Sequence, residues 1–181
     1  MAASRGMAPG TKALTALERV IYASLPSLKR QRLLALGCSS MQLLIAMKRR
    51  HPLLWITVLS GSQAALNKAL GLANRKGVVM RFMEGSTREL PFEDESFNIL
   101  IGCMPLVPND PIKRSETLME FYRVLRRSGH VVITSASRKR GFEFALEGSG
   151  FEQVKVQKTA RVYVYTAIKV EPEQLLSQPG E

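Results

Sequence analysis

The chain has 181 residues, 26 Lys plus Arg against 15 Asp plus Glu, a net charge of +11, and 45% hydrophobic residues. That apolar share excludes wholesale disorder, and the length fits one domain with a full-sized core. No apolar run reaches the roughly 20 residues of a membrane-spanning helix, two Cys and two His exclude a disulfide framework or a His-rich metal centre, and a pI near 10.1 admits polyanionic partners without identifying one.

Residues 1–12 read as a flexible start. The first 17 residues are basic and acid-free, a composition shared by a disordered terminus and an organelle transit segment. With no secretory pattern and few cysteines, a cytoplasmic location is expected, with a mitochondrial one as the alternative. Residues 13–25 carry Leu14, Leu17, Val20 and Ile21 at helical spacing, and Pro26 ends that helix. Residues 32–36 read as a buried strand stopped at Gly37. Ser39 or Ser40 can cap a helix running to Lys48-Arg49-Arg50, where basic residues complement the helix dipole. Residues 53–59 read as a second strand, 62–73 as a helix, and 78–83 as a third strand. Residues 85–96 form a polar loop with the acidic run Glu93-Asp94-Glu95. Residues 97–103 are apolar nearly throughout and so read as a central strand. A helix is predicted over 112–127, a strand over 130–134, and a short helix within 138–150. Two strands close the domain, at 154–156 and 162–170, and residues 171–181 form a flexible tail.

Alternation of strand and helix predicts a parallel sheet covered on both faces. The last two strands lie too close for a crossover helix and predict an antiparallel hairpin. The expected fold is an α/β three-layer sandwich over residues 13–170, with a Rossmann-like, mostly parallel seven-stranded sheet.

Four stretches then resemble class I S-adenosylmethionine-dependent methyltransferases with a minimal core. They are LLALGCSSM at 33–41, GSTRELPFEDESF at 85–97, LMEFYRVLRRSGHVVIT at 118–134, and GFEQVKVQKTARVYVYTAIK at 150–169. The resemblance implies S-adenosylmethionine as cofactor, lying across Gly37, Cys38, Ser39 and Ser40. It places Ser60 near the ribose, Ser86 and Thr87 near adenine, and Cys103 on the acceptor side, with residues 103–106 facing the acceptor.

The same comparison marks departures. The family's acidic residue at the end of the first strand is Ala35 here. Its next two glycines are Ser39 and Met41, and Met41 brings a long side chain where the family leaves space. Its ribose-binding and adenine-binding acids are Ser60 and Ser86. A charge-assisted hydrogen bond contributes about 1.5–3 kcal/mol, so losing two or three lowers affinity by about two to four decades. Two functions follow as expectations: a methyltransferase-like protein with an eroded cofactor site, or an inactive scaffold that binds a protein or RNA through its basic surface. The missing acids account for about three of the eleven excess charges by this comparison. The substrate-recognising insertions of the family are nearly absent, which implies a small open site or a second chain that completes it, in an oligomer or a complex.

The remaining candidates have plainer readings. Cys38 is expected to pack in its turn and Cys103 to be a buried structural thiol. His51 and His130 are expected on the surface, Asn98 to make a strand-entry hydrogen bond, and the acidic run to be a solvated loop without metal. Basic clusters at 29–32, 48–50, 75–76, 123–127 and 138–140 leave RNA or an acidic protein as the partner of the surface. The methyl acceptor is left open between a small molecule and a macromolecule.

Overall fold

The computed structural model describes residues 16–37, 41–103, 106–159 and 162–170. The expected flexible ends, the first residues of the first helix and the capping serines of the second lie outside these residues. The elements are α1 (Ala16–Ala23), β1 (Arg32–Leu36), α2 (Met41–Arg50), β2 (Trp55–Ser60), α3 (Gln63–Arg75), β3 (Arg81–Glu84), β4 (Phe97–Cys103), α4 (Pro111–Val124), β5 (Leu125–Ser135), α5 (Phe142–Gly148), β6 (Phe151–Thr159) and β7 (Val162–Lys169). One seven-stranded sheet runs in the order β3-β2-β1-β4-β5-β7-β6. Strands β1 to β5 run parallel to one another, and β7 enters antiparallel between β5 and β6.

The three layers follow from the two-residue period of a strand. Leu33 and Ala35 face Leu43, Leu44, Met47, Leu66 and Ala69 on one side. Leu34 and Leu36 face Leu118, Phe121, Phe142 and Leu146 on the other. A strand buried on both faces is a continuous apolar run, which is why β1 and β4 have the bounds expected of them. Asn98 makes the expected entry contact, its Oδ1 accepting the Arg32 N–H at 3.0 Å.

Boundaries differ where local chemistry decides them. Val78 does not begin β3. Gly77 takes φ +64, the Gly77 N–H bonds the Asn74 carbonyl and the Val78 N–H reaches Ala73, so these residues close α3 with the Schellman pattern. Helix α4 stops at Val124, not 127, because Leu125 turns extended and pairs with Phe97 of β4. Strand β5 therefore begins before Ser128-Gly129, passing through Ser128 at φ +57. Both histidines are half-buried, not surface residues. His51 Nε2 shares a hydrogen bond with the Tyr22 hydroxyl of α1, and burial lowers the pKa of His130 despite its bond to the Ser128 carbonyl.

The acidic run is solvated, its three side chains exposed, but the loop that carries it is tied down. Arg123 bonds the Phe92 carbonyl and Asp94 through Nη1, the Leu90 carbonyl and Glu120 through Nη2, and Glu120 again through Nε. Arg126 Nε donates to the Glu95 carbonyl at 2.9 Å, and Arg127 and Lys169 lie 3.8 and 3.6 Å from the Glu95 carboxylate. The basic cluster at 123–127 is thus consumed in holding the loop to α4 and β5. The Glu120 carboxylate also accepts the Leu90 N–H at 2.8 Å.

This clamp has a pH signature. The hydrogen bond from Arg123 lowers the Glu120 pKa below its ordinary value of 4.5, with burial opposing it. A carboxylate depressed in the folded state stabilises fully above its unfolded pKa and loses that contribution as pH falls through the folded one. Glu120→Gln is expected to flatten the stability profile below about pH 4.5. Urea midpoints at pH 7 and pH 3.5 read this directly; equal acid sensitivity in both proteins would remove Glu120 as a contributor.

Candidate functional site

In a doubly wound sheet, ligands bind beyond the carboxyl ends of the strands, where the strand order reverses. Here that point lies between β1 and β4. Five of the expected site residues are described at this edge: Gly37, Ser60, Ser86, Thr87 and Cys103. Cys38 and Ser39, with Ser40, lie outside the described residues.

A chain of contacts joins the loops that leave β1, β2, β3 and β4. The Gly37 N–H bonds the Leu59 carbonyl at 2.7 Å, and the Gly85 N–H bonds the Ser60 carbonyl at 3.2 Å. Two residues on, the Thr87 hydroxyl donates to the Leu106 carbonyl at 3.3 Å. The Leu106 side chain returns to Gly37, its Cδ1 lying 3.2 Å from where a Cβ on Gly37 would stand. Gly37 takes φ +75, a conformation that side-chain-bearing residues enter at a cost. Gly37, Ser60, Thr87 and Leu106 are all half-buried.

The hydroxyls are partly committed. Ser60 Oγ accepts the Ser62 N–H at 3.2 Å, and Ser62 in turn caps α3 by accepting the Ala65 N–H. Ser86 is exposed, and its Oγ accepts the Arg88 N–H at 3.1 Å. Each hydroxyl keeps its proton for a ligand acceptor. No carboxylate replaces them at positions 60 and 86, although Glu84 lies opposite Ser60 in the sheet register and is exposed. Ala35 is 1% exposed and belongs to the core. Met41, expected to crowd the turn, is 5% exposed and packs in the core layer beneath α2. Cys103 ends β4 half-buried, opposite Thr134 of β5, whose hydroxyl donates to the Gly102 carbonyl.

Two features have no local signal in the sequence. Leu106 belongs to the acceptor-facing stretch, but its packing against Gly37 depends on a loop with three prolines, and no periodicity reports that. A second depression, of about 130 Å3, lies one strand further along the same edge, lined by Pro108, Asn109, Arg114, the run from Arg138 to Arg140, and Phe142. In the sequence the basic cluster at 138–140 reads as surface charge and not as one wall of a cavity. Among the described residues, no three His, Cys, Asp or Glu side chains are grouped as a metal ion would require, and no helix is long and apolar enough to cross a membrane.

The sequence profile described as "Methyltransferase domain" matches residues 33–129. No curated protein sequence matches the chain significantly. Solved structures do. The PH0226 protein of Pyrococcus horikoshii OT3 superposes with a TM-score of 0.73 at 18% identity, over 85% of this chain and 88% of that one. A chain of the complex between the Haloferax volcanii Trm112 methyltransferase activator and the putative methyltransferase gives 0.72 at 14% identity, over 86% and 91%. A SAM-dependent methyltransferase from Aquifex aeolicus gives 0.70 at 15% identity, over 84% and 89%. At such identities these likenesses carry the fold alone.

Proposed function

The chain belongs to the methyltransferase-domain family whose profile its residues 33–129 match, and from that membership we propose that it is an S-adenosylmethionine-dependent methyltransferase holding its cofactor by backbone and hydroxyl groups in place of carboxylates. The observation that carries this reading is the cradle at Gly37. Its φ of +75 is a left-handed conformation suited to a residue without a Cβ, and the turn stands where the sheet order reverses. The residues fit the cofactor at that level. Gly37 would let backbone approach the methionine end, Ser60 would donate to a ribose oxygen, and Ser86 and Thr87 would flank the adenine. Bound there, the cofactor supplies a methyl group made electrophilic by its sulfonium. The chain's part is to align an acceptor from the side of Cys103 and to exclude water, which demands no particular acid or base.

One observation favours the alternative, an inactive scaffold that binds protein or RNA. Leu106 packs against Gly37 while Thr87 holds its carbonyl, so a ligand in the cradle must displace a packed leucine. Displacing a well-packed side chain costs about 1–2 kcal/mol, so Leu106→Ala is expected to tighten binding of S-adenosylhomocysteine about tenfold. Titration calorimetry with S-adenosylmethionine and S-adenosylhomocysteine tests both readings. Saturable binding, weak in the native chain and stronger in the variant, supports the enzyme. Absence of heat from either protein at millimolar ligand would sink it and leave the scaffold. An RNA-binding scaffold would then show affinity falling steeply with salt.

A further inference from the structure

The depression between the β4–α4 and β5–α5 loops gathers more positive charge than its ion pairs account for. Four of its lining side chains are cationic, Arg114, Arg138, Lys139 and Arg140, and none is acidic. Arg114 and Lys113 stand in the first turn of α4, which holds no acid. There they oppose the positive end of the helix dipole, whereas cations are stabilising at the other end. A local rule broken at a cavity is what a ligand site looks like.

The walls are fixed. Arg114 bonds the Pro108 and Asn109 carbonyls through Nε and Nη2, which leaves Nη1 without a bond among the described residues. The Lys139 N–H donates to the hydroxyl of Tyr165, a fully buried ring, at 2.8 Å. The Ser135 hydroxyl donates to the Ser137 carbonyl at 2.6 Å. Two acids lie nearby and both are engaged: Glu143 is 3.2 Å from Arg138, and Asp110 caps α4 on the Lys113 N–H. The Lys139 and Arg140 side chains have no acidic partner among the described residues, so an anion in the cavity would meet positive charge that no acid neutralises.

Position makes this an acceptor-side feature. Pro108 and Asn109 follow Leu106 in the loop that closes the cofactor crevice. We propose, resting on the methyltransferase reading, that the depression is an anion subsite for the acceptor, and that the acceptor is a small molecule bearing a phosphate group. Its size, about 130 Å3, suits one such group. A nucleic-acid strand needs a long basic track, and the basic groups at 48–49 lie at the opposite edge of the sheet and are bound to backbone carbonyls. At the far ends of α2 and α3, Lys48 bonds the Pro52 and Leu54 carbonyls and Arg49 bonds the Lys76 carbonyl.

The test titrates the full chain with inorganic phosphate at constant ionic strength, chloride being the control. S-adenosylhomocysteine and a 12-nucleotide RNA are titrated in parallel. The double variant Lys139→Ala/Arg140→Ala keeps the Lys139 N–H bond to Tyr165 and is expected to melt as the native chain does. Expected are saturable phosphate binding in the native chain, a loss of about tenfold or more in the variant, and unchanged S-adenosylhomocysteine affinity. Phosphate binding that is absent, or equal in the two proteins, overturns the subsite while leaving the cofactor reading intact. RNA bound far more tightly than phosphate, and lost in the variant, overturns it in favour of a nucleic-acid surface. Phosphate binding without any cofactor binding overturns the acceptor role, because the methyltransferase reading has then failed.

Discussion

Arg123→Ala is expected to lower the melting temperature by about 6–12 °C, the shift that about 3 kcal/mol produces in a chain of this length. Its guanidinium makes five hydrogen bonds to four residues. The one to Asp94 contributes least, since that carboxylate is 74% exposed and screened by water. The others tie the Leu90 and Phe92 carbonyls to Glu120, and a hydrogen bond to a charged group contributes about 1.5–3 kcal/mol before such discounts. Truncation also leaves Glu120 without its counter-charge beside a buried Leu90. Arg123→Lys keeps the charge but not the fork, so it is expected to recover less than half of the loss. Thermal melts of the three proteins decide the matter. An alanine variant within 2 °C of the native chain would show that the loop is held by Phe92 against Phe97 and not by the clamp. The effect reaches the site, because the same loop carries Ser86 and Thr87.

The architecture was legible because both core faces are written in the strands. Residues 32–36 and 97–103 announce buried parallel strands by having no polar face, and the structure gives β1 and β4 those bounds. Elements whose ends depend on single bonds were less legible. Helical periodicity continues through Leu125, so nothing in the pattern signals that this residue leaves α4 to pair with Phe97. Strand β6 reaches from Phe151 to Thr159 although only Val154 and Val156 of its half-buried positions are apolar, since pairing with β7 supplies what propensity does not. The site was legible as positions and not as geometry. The substitutions at 35, 60 and 86 can be read from the resemblance alone. That Met41 is absorbed by the core, that Leu106 lies against Gly37, and that Arg114 joins the run 138–140 are facts of packing between segments far apart in the chain.

The acid that the resemblance expects at the end of β2 offers the sharpest test of the proposed cofactor site, because it can be supplied. Ser60→Asp is expected to tighten S-adenosylhomocysteine binding about 10- to 100-fold, the range given by one charge-assisted contact of about 1.5–3 kcal/mol. The backbone is already suited to the change. Ser60 Oγ accepts the Ser62 N–H, and an aspartate oxygen can accept the same bond, so the turn into α3 is kept. The second carboxylate oxygen is then free for the ribose, and two hydroxyls can be held together where serine serves one. Glu84 stands opposite in the β2–β3 register, and its like charge opposes the new one, which sets the gain toward the lower end in low salt. Adding Glu84→Gln is therefore expected to increase the gain, and raising salt to narrow the difference between the single and double variants. Ser60→Asn controls for shape, since it is isosteric with aspartate but uncharged and is expected to recover little. Calorimetric titration of these proteins separates the outcomes. If aspartate binds no better than asparagine, the ribose does not lie at the end of β2, and the resemblance will have assigned this edge a ligand it does not hold.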